Sequence, residues 1–316
     1  MYVFIVNELA GGGKGRRIYE QLRQTELFQS LNRTCHFTKG PEDATKIMQQ
    51  IVKDYAQIKT IVVIGGDGTF HEVINGLDDQ LVPVSLIPSG SGNDFSRGFG
   101  ISGRPLTVLE KIVAGTDEKP YYFGEYIKDG AKKRQFINCI GFGFDAKVVS
   151  RTNKPRLRKV LNYFRLGRLL YVIALLQALI KFKPFNIDIE LDGKKKTIIN
   201  CWMVTITNHP YFGGGMKIIP GTKIEPTYFP VLVVHSIPKW KVLLLFITVF
   251  TGKHLNLKGV DLYKPVENFS MKTDQELLMQ VDGELKRCQS CQVSKQTKAN
   301  IIQGTGITGK KIVSQS

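Results

Sequence analysis

A glycine-rich turn joins two structural patterns at residues 64–77, which read Ile64-Gly-Gly-Asp-Gly-Thr-Phe-His-Glu-Val-Ile-Asn-Gly-Leu77. The run Thr60–Ile64 before it is apolar throughout, as in a buried strand, and Thr69–Leu77 has the spacing of a helix. Glycines let the backbone turn tightly with its N–H groups exposed, and the positive end of the helix points to the same place. The turn therefore predicts an anion-binding loop. The alternative is a tight turn alone, with Asp67 as the N-cap of the helix.

Two more glycine-rich loops follow apolar strand patterns. One is Asn7–Arg17, which contains Gly-Gly-Gly-Lys-Gly, and the other is Pro88–Phe95, which reads Pro-Ser-Gly-Ser-Gly-Asn-Asp-Phe. None of the three loops has the spacing of a P-loop or of a dinucleotide-binding turn. Because ligands bind beyond the carboxyl ends of parallel strands, we expect the three loops to converge and to hold nucleotide phosphates by another scheme.

The pattern of strands and helices changes near Lys119–Pro120. Strands alternate with helices before it, which predicts a parallel α/β sheet, and strands with few helices follow it, which predicts an antiparallel β-sandwich. We expect an α/β domain at 1–119, a β-sandwich domain at 120–300, and a tail at 301–316 that returns to the first domain. The predicted strands are Tyr2–Val6, Thr34–Thr38, Thr60–Ile64, Val84–Ile87, Tyr121–Ile127, Arg134–Phe142, Phe185–Leu191, Thr197–Asn208, Val231–His235, Asn268–Lys272 and Leu277–Val281. The predicted helices are Lys14–Phe28, Glu42–Tyr55, Thr69–Leu77, Lys159–Phe182 and Trp240–Thr251.

Composition narrows the possible partners and location. The chain has 316 residues, 42% of them apolar, and carries 44 lysines and arginines against 27 acids, a formal charge of +17. This charge favours nucleic acid, an anionic membrane surface or a phosphorylated ligand without choosing among them. We find no signal peptide and no apolar run long enough to span a bilayer, so we expect a cytoplasmic protein. Five scattered cysteines, including the pair Cys288 and Cys291, are most simply reduced thiols.

Several motifs taken together resemble the diacylglycerol kinase catalytic-domain family, which includes bacterial lipid kinases and sphingosine kinases. The similarity runs from Gly65–Leu77 and Gly90–Phe95 through Phe136–Ala146 and Gly213–Met216 to Val281-Asp282-Gly283-Glu284. The resemblance implies a three-layer α/β domain with a parallel sheet, a β-sandwich, and an active site in the cleft between them. It implies transfer of the γ-phosphoryl group of ATP, with Mg²⁺, to a lipid hydroxyl, and it favours diacylglycerol as the acceptor.

The resemblance also assigns roles to residues of this chain. Asp282 is the expected general base, with Glu284 beside it; the alternative for both is an exposed hairpin turn, because Asp-Gly is a common turn dipeptide. His71 stands where asparagine is usual and is expected to be a hydrogen-bonding residue of the phosphate loop. The residues expected to contact the nucleotide are Asn7, Thr38, Gly66, Asp67, Gly68, Thr69, Phe70, His71, Glu72 and Ser91.

Two departures from the family concern a metal site and an acid. Family members have an acidic segment that helps to bind a structural magnesium, whereas the aligned stretch Lys223–Tyr228 has Pro226 at that place. This speaks against the metal site, and no metal ligands are assigned. Tyr121-Tyr122-Phe123-Gly124 replaces a segment in which many members have an aspartate.

A basic stretch suggests how the protein meets its lipid. From Arg151 to Lys183 there are nine lysines and arginines and no acid, interleaved with aromatic and leucine side chains. Such a surface docks on anionic phospholipid, which predicts peripheral attachment to the inner face of the membrane. Alternatively, Leu169–Ile180 is a helix buried against the sandwich, and the two explanations are compatible. No nucleic-acid-binding module is found.

The sequence thus predicts a lipid kinase. Two alternatives remain: a nucleotide- or lipid-binding protein that has lost catalysis, suggested by Pro226 and Tyr122, and an NAD kinase, which shares only the Gly-Gly-Asp-Gly-Thr motif. Neither the acceptor lipid nor the oligomeric state can be inferred from these residues.

Overall fold

The computed structural model describes residues 1–152, 175–249 and 252–306. The chain forms two compact units. The first consists of Met1–Phe123, the short segment Gly213–Gly215 and the chain from Thr297 onward, and the second consists of Gly124–Phe212 and Met216–Gln296.

The first unit is built on a six-stranded sheet. Its order is β2-β1-β3-β4-β17-β5, and β1 to β4 pair in parallel. Every residue of β1 and β3 is buried, which explains their unbroken apolar sequences. The strands are β1 (Tyr2–Val6), β2 (Arg33–Phe37), β3 (Thr60–Gly65), β4 (Val84–Pro88), β5 (Lys119–Tyr121) and β17 (Asn300–Ile302). The helices are α1 (Ala10–Arg23), α2 (Glu26–Ser30), α3 (Asp43–Asp54), α4 (Asp67–Gly76), α5 (Asp94–Gly98) and α6 (Pro105–Ala114).

Several predicted elements differ from those observed. The predicted strand Arg134–Phe142 is two strands, and the predicted strands Asn268–Lys272 and Leu277–Val281 are one. The helix predicted over Lys14–Phe28 is two helices, because the side chain of Thr25 accepts the Phe28 N–H at 3.3 Å and begins α2. The strand predicted over Tyr121–Ile127 is also two: β5 pairs with β17 in the first sheet, and the next strand, Gly124–Lys128, lies in the second unit. The first unit therefore extends to Phe123, and residues 300–302 return to it.

The second unit is a nine-stranded antiparallel sheet that wraps around a core. Its path is β14-β13-β10-β8-β15-β16-β6-β7, and β9 pairs with both β10 and β15. The core contains large apolar side chains such as Phe142, Phe229 and Phe269. The strands are β6 (Gly124–Lys128), β7 (Arg134–Phe136), β8 (Cys139–Gly143), β9 (Phe185–Leu191), β10 (Lys194–Thr207), β13 (Phe229–His235), β14 (Val260–Val266), β15 (Phe269–Val281) and β16 (Glu284–Lys295), with a separate small hairpin of β11 (Tyr211–Phe212) and β12 (Met216–Lys217).

Helices of the second unit form another apolar cluster with the sheet. They are α7 (Phe144–Thr152), α8 (175–181) and α9 (Lys239–Thr248), and a 3₁₀ turn spans Lys253–Asn256. Leu175, Leu179 and Leu245 pack there with Trp202. Most of the predicted helix Lys159–Phe182, and of the basic stretch, lies outside the described residues. Among the helices that are described, none is long and apolar enough to cross a membrane.

Candidate active site

The three glycine-rich loops meet at the carboxyl edge of the first sheet, where β1, β3 and β4 end side by side. A Cβ added to Gly66 would lie 3.0 Å from the Cα of Gly90, and one added to Gly11 would lie 2.0 Å from the carbonyl oxygen of Ser89. The loops therefore pack backbone against backbone. Gly11, Gly12 and Gly13 have φ of 59°, 70° and 90°, a region that other residues seldom adopt.

Asn7 and Thr69 connect two of these loops. The Asn7 Nδ2 donates to Thr69 Oγ1 at 2.9 Å, so both side chains hold the loop after β1 against the loop after β3. Thr38 follows β2 at the same edge, and its N–H donates to the carbonyl of Val6 at 3.0 Å. Ser91 is exposed in the loop after β4. All four predicted residues thus lie at one edge of one sheet.

Asp67 connects the loop after β3 to the loop after β4. Its Oδ2 accepts the Asp94 N–H at 3.0 Å and its Oδ1 accepts the Phe95 N–H at 3.1 Å. The carboxylate thus binds the start of α5, and the N-cap of α4 is Gly66. The alternative in which Asp67 caps the helix that it begins is therefore wrong.

Asp94 extends this network. Its Oδ2 accepts the Gly214 N–H at 2.8 Å, and its Oδ1 accepts from the Arg97 guanidinium at 2.9 Å. Burial raises the pKa of Asp94, while these donors act in the opposite direction. Nearby, the buried Ser89 Oγ and Asn93 Oδ1 have no hydrogen-bond partner in the described part of the chain, and such buried polar atoms require a water or a ligand.

The side chains of Phe70, His71 and Glu72 contact other groups of the first unit. Phe70 is buried, with its ring 4.4 Å from that of Phe95. The buried His71 Nε2 lies 3.3 Å from Asn75 Nδ2, one turn along α4. Glu72 Oε2 accepts the Ala44 N–H at the start of α3. These contacts explain the three residues as packing and capping groups, and their predicted contact with a nucleotide stays a prediction.

In the second unit, Asp282 lies in the two-residue turn between β15 and β16. Its Oδ1 accepts the N–H groups of Asn138 and Cys139 at 2.7 and 3.0 Å, and its Oδ2 accepts the Ile137 N–H at 2.7 Å. The hairpin that we considered as an alternative is thus present, yet its carboxylate is held by three backbone donors in front of β8. This fixes the orientation of a negatively charged acceptor.

In two other Asp-Gly turns of the second unit, the aspartate carboxylate also accepts backbone N–H groups. Asp192 Oδ1 accepts the N–H groups of Glu267 and Asn268 at 3.1 and 2.8 Å. Asp129 Oδ1 accepts those of Gln289 and Ser290 at 2.9 and 2.8 Å. Backbone clamping by an aspartate is therefore a general structural feature of this unit, and it does not by itself mark Asp282 as a base.

His209, a buried residue that the sequence did not single out, supports the segment 137–139 that holds Asp282. It does so through the side chain of Asn138. The His209 Nε2 lies 2.6 Å from Asn138 Oδ1, and the His209 Nδ1 accepts the Tyr211 N–H at 3.3 Å. With Nδ1 as acceptor, Nε2 carries the proton and donates to Asn138. Burial lowers the pKa of His209 to about 4, so the ring is neutral at physiological pH.

Gln280 and Asp145 support the turn from the strand side. The Gln280 Oε1 accepts the Gly283 N–H at 3.0 Å, and its Nε2 lies 3.5 Å from Asp145 Oδ2. Asp145 fills the space over Gly141, since a Cβ there would lie 1.6 Å from Asp145 Oδ2. Both residues belong to the stretch Phe136–Ala146 that resembles the family. The structure adds the reason: position 141 must be glycine because the Asp145 carboxylate occupies the space of a side chain.

We expect Asp145→Asn to change how stability depends on pH. Burial raises the pKa of Asp145 to about 7, so the folded protein binds more protons than the unfolded chain between about pH 4 and 7. The stability contributed by this group therefore falls as pH rises through that window. Asparagine cannot ionise, so the stability of the variant relative to the parent should rise by about 2 to 3 kcal/mol between pH 5 and pH 8.

Urea denaturation at both pH values measures this effect. Parallel pH dependence of the two proteins would show that Asp145 does not titrate in this range.

Glu284 has a partner of its own. Its Oε2 lies 3.6 Å from the Nζ of Lys286, which also donates to the Tyr126 hydroxyl at 2.9 Å. Burial lowers the pKa of Lys286 and raises that of Tyr126. Glu284 is thus held by a lysine side chain, whereas Asp282 is held by backbone N–H groups.

The segment that replaces the family's acidic motif does not fit a magnesium ion. The Lys295 Nζ donates to the main-chain oxygen of Glu225 at 3.1 Å, which places a cation next to the residue before Pro226. Burial lowers the pKa of Lys295 to about 8, and at pH 7 the ammonium form predominates. Within the described ranges no cluster of three metal-binding side chains occurs.

Comparisons with known proteins agree with the fold and the motifs. Residues 1–121 match the diacylglycerol kinase catalytic domain, and residues 138–298 match the YegS C-terminal NAD kinase beta sandwich-like domain. The "Putative lipid kinase YtlR" of Bacillus subtilis is 32% identical over 90% of this chain and 93% of its own. A diacylglycerol kinase of the same organism is 25% identical over 85% and 86%.

A solved structure shows the same fold. The crystal structure of a diacylglycerol kinase from Bacillus anthracis is 20% identical, covers 99% of this chain and 98% of its own, and has a TM-score of 0.66. At 20% identity, this similarity establishes the fold of the α/β unit and of the β-sandwich-like unit, and it carries no information on function. With the two family models and the relative at 32% identity, the chain belongs to the diacylglycerol kinase catalytic-domain family of lipid kinases.

Proposed function

We propose that this protein is an ATP-dependent lipid kinase that transfers the γ-phosphoryl group of ATP to the hydroxyl of a membrane lipid, with diacylglycerol as the favoured acceptor. The observation that carries the proposal is the meeting of three glycine-rich loops at one edge of the parallel sheet, in a chain of a lipid kinase family. Related proteins of this family are named diacylglycerol kinases.

The first unit supplies the phosphate-binding groups in this proposal. Gly68 lies in the first turn of α4, and a Cβ there would meet nothing within 4 Å, so a phosphate has room to approach its backbone. The positive end of α4 and the loop N–H groups stabilise the phosphate charge. Asp67 and Asp94 act indirectly, by keeping the loops closed. Mg²⁺ accompanying the ATP would neutralise charge on the transferred group.

The second unit supplies the base. As the acceptor oxygen forms its bond to the γ-phosphorus, the bond from that phosphorus to the bridging oxygen of ADP breaks, and the hydroxyl proton passes to the carboxylate of Asp282. The three backbone donors fix the carboxylate before reaction, so no reorientation is required as the proton moves.

The two substrates of the proposed reaction determine where in the cell the protein acts. ATP is dissolved in the cytoplasm and the acceptor lipid is dissolved in the membrane, so the protein acts peripherally at the inner face. A formal charge of +17 supports attraction to anionic phospholipid.

A lipid panel tests the proposal. The purified protein is incubated with labelled ATP and Mg²⁺ and with mixed micelles of diacylglycerol, monoacylglycerol, sphingosine or phosphatidylglycerol, and lipid-bound phosphate is measured. Phosphorylation of one lipid class supports the proposal, and formation of NADP from NAD without lipid product would identify an NAD kinase instead.

A binding protein without catalysis is the second candidate. It is favoured by one observation, that Asp282 clamps backbone N–H groups as Asp129 and Asp192 do. Tight ATP binding with no turnover on any lipid of the panel would support it.

A further inference from the structure

Two helices of the second unit expose large apolar side chains. On α8 the exposed fractions are 40% for Leu176 and 72% for Ile180, and on α9 they are 63% for Trp240 and 36% for Leu244. In each helix the two residues are four positions apart and so lie on one face. Such a group of exposed apolar residues marks an interaction surface.

Adjacent faces of the two helices pack against the rest of the unit. Leu175, Leu179 and Leu245 are buried with Trp202, whose Nε1 donates to the Ile237 carbonyl at 2.9 Å. The four exposed residues are not members of this cluster. Both helices also belong to one surface, since the Lys239 Nζ donates to the Ile180 carbonyl at 2.8 Å and holds the end of α8 at the start of α9.

Lysines surround these apolar residues. Lys181, Lys183 and Lys239 are exposed, and the Lys241 Nζ lies 5.5 Å from the centre of the Trp240 ring. Residues 175–184 and 236–249 contain these four lysines and no acid. We call this set the α8–α9 surface: Leu176, Ile180, Lys181, Lys183, Lys239, Trp240, Lys241 and Leu244.

We propose that the α8–α9 surface docks on an anionic lipid bilayer. Tryptophan prefers the membrane interface, where its ring lies among acyl chains and its N–H meets water, and lysines beside it extend their ammonium groups to lipid phosphates. A helix pair with an apolar and a cationic face lies in the plane of the bilayer. A second copy of the chain is a poorer occupant, because it would place four lysines opposite four lysines.

Vesicle binding tests this proposal without ATP and independently of phosphotransfer. Vesicles of phosphatidylcholine with 30% phosphatidylglycerol, added at low ionic strength, should shift the tryptophan emission to the blue. The chain has two tryptophans, and because Trp202 is buried, the shift reports on Trp240. Pure phosphatidylcholine should give a much weaker response.

Substitutions locate the surface. Ile180→Ala with Trp240→Ala should weaken vesicle binding by about tenfold or more in co-sedimentation. Lys181→Ala with Lys183→Ala should weaken it by about fivefold for each lysine removed. The matched controls are Leu81→Ala, which is 47% exposed in the first unit, and Lys194→Ala with Lys195→Ala on the β9–β10 hairpin. These should bind as the parent does.

Three outcomes would overturn the proposal. Equal vesicle binding by parent and Ile180→Ala/Trp240→Ala would place the docking surface elsewhere. A dimer in sedimentation equilibrium that Trp240→Ala converts to monomer would identify a second copy as the occupant. No binding to anionic vesicles, with circular dichroism showing a folded protein, would exclude a bilayer.

Discussion

Asp282→Asn is expected to lower kcat for lipid phosphorylation by roughly 10²–10⁴-fold, the range for loss of a general base. The substitution removes the negative charge that accepts the hydroxyl proton. It leaves the glycine loops of the first unit unchanged, so the affinity for ATP should stay within about twofold of the parent. Steady-state phosphorylation of the preferred lipid and calorimetric titration with ATP measure the two quantities.

The substitution also disturbs the turn. Because Ile137, Asn138 and Cys139 all direct N–H groups at the carboxylate, an amide NH₂ must face at least one donor. We expect a loss of stability of about 1 to 3 kcal/mol. The activity assay must therefore be run at a temperature at which the variant is folded.

Asp192→Asn is the matched control. Asp192 precedes a glycine in a hairpin turn, has a positive φ as Asp282 does, and also accepts backbone N–H groups through its carboxylate. Both short bonds to Asp192 end on Oδ1, which an asparagine carbonyl can replace, so its substitution should lower stability less than Asp282→Asn does and leave kcat within about twofold. Should both variants lose activity in proportion to stability, Asp282 would be a structural clamp and the assignment of the base would fail.

The α/β fold was predictable because its central strands β1 and β3 are buried on both faces. Unbroken apolar runs such as Tyr2–Val6 and Thr60–Gly65 can be recognised without knowing their neighbours. The strand Glu284–Lys295 was missed because it alternates core cysteines with lysine, arginine and glutamine, and its pairing with β15 and β6 depends on residues far away in sequence. β17 was missed because three residues carry too little periodicity.

The candidate site was predictable where backbone geometry requires particular residues. Gly66 and Gly90 lie too close together for side chains, and this constraint leaves a motif in the sequence. Contacts between distant side chains leave no such pattern. The Asp67 carboxylate on the start of α5 and His209 behind Asn138 depend on which loops the fold brings together. The sequence offered one indication of the second contact: Asn138 belongs to a motif shared with the family, and a polar residue of this kind needs a partner such as His209.

Gly68→Ala is expected to separate nucleotide binding from folding. A methyl group at Gly68 meets no protein atom within 4 Å and favours the helical conformation of α4, so stability should be unchanged or raised by up to about 1 kcal/mol. If phosphate approaches this backbone, the same methyl group occupies the approach, and we expect ATP affinity to fall at least about tenfold. Thermal unfolding without nucleotide and calorimetric titration with ATP give the two values.

Gly90→Ala is the contrasting variant. Its Cβ would lie 2.6 Å from the Cα of Gly66, so the two loops must separate, and we expect both a loss of stability of about 1 to 3 kcal/mol and a loss of ATP binding. A loss of affinity in Gly90→Ala shows only that the loops must be intact. Loss of affinity in a fully stable Gly68→Ala requires a ligand at the α4 terminus, so ATP binding equal to that of the parent would place the phosphates elsewhere and remove the main support for a kinase.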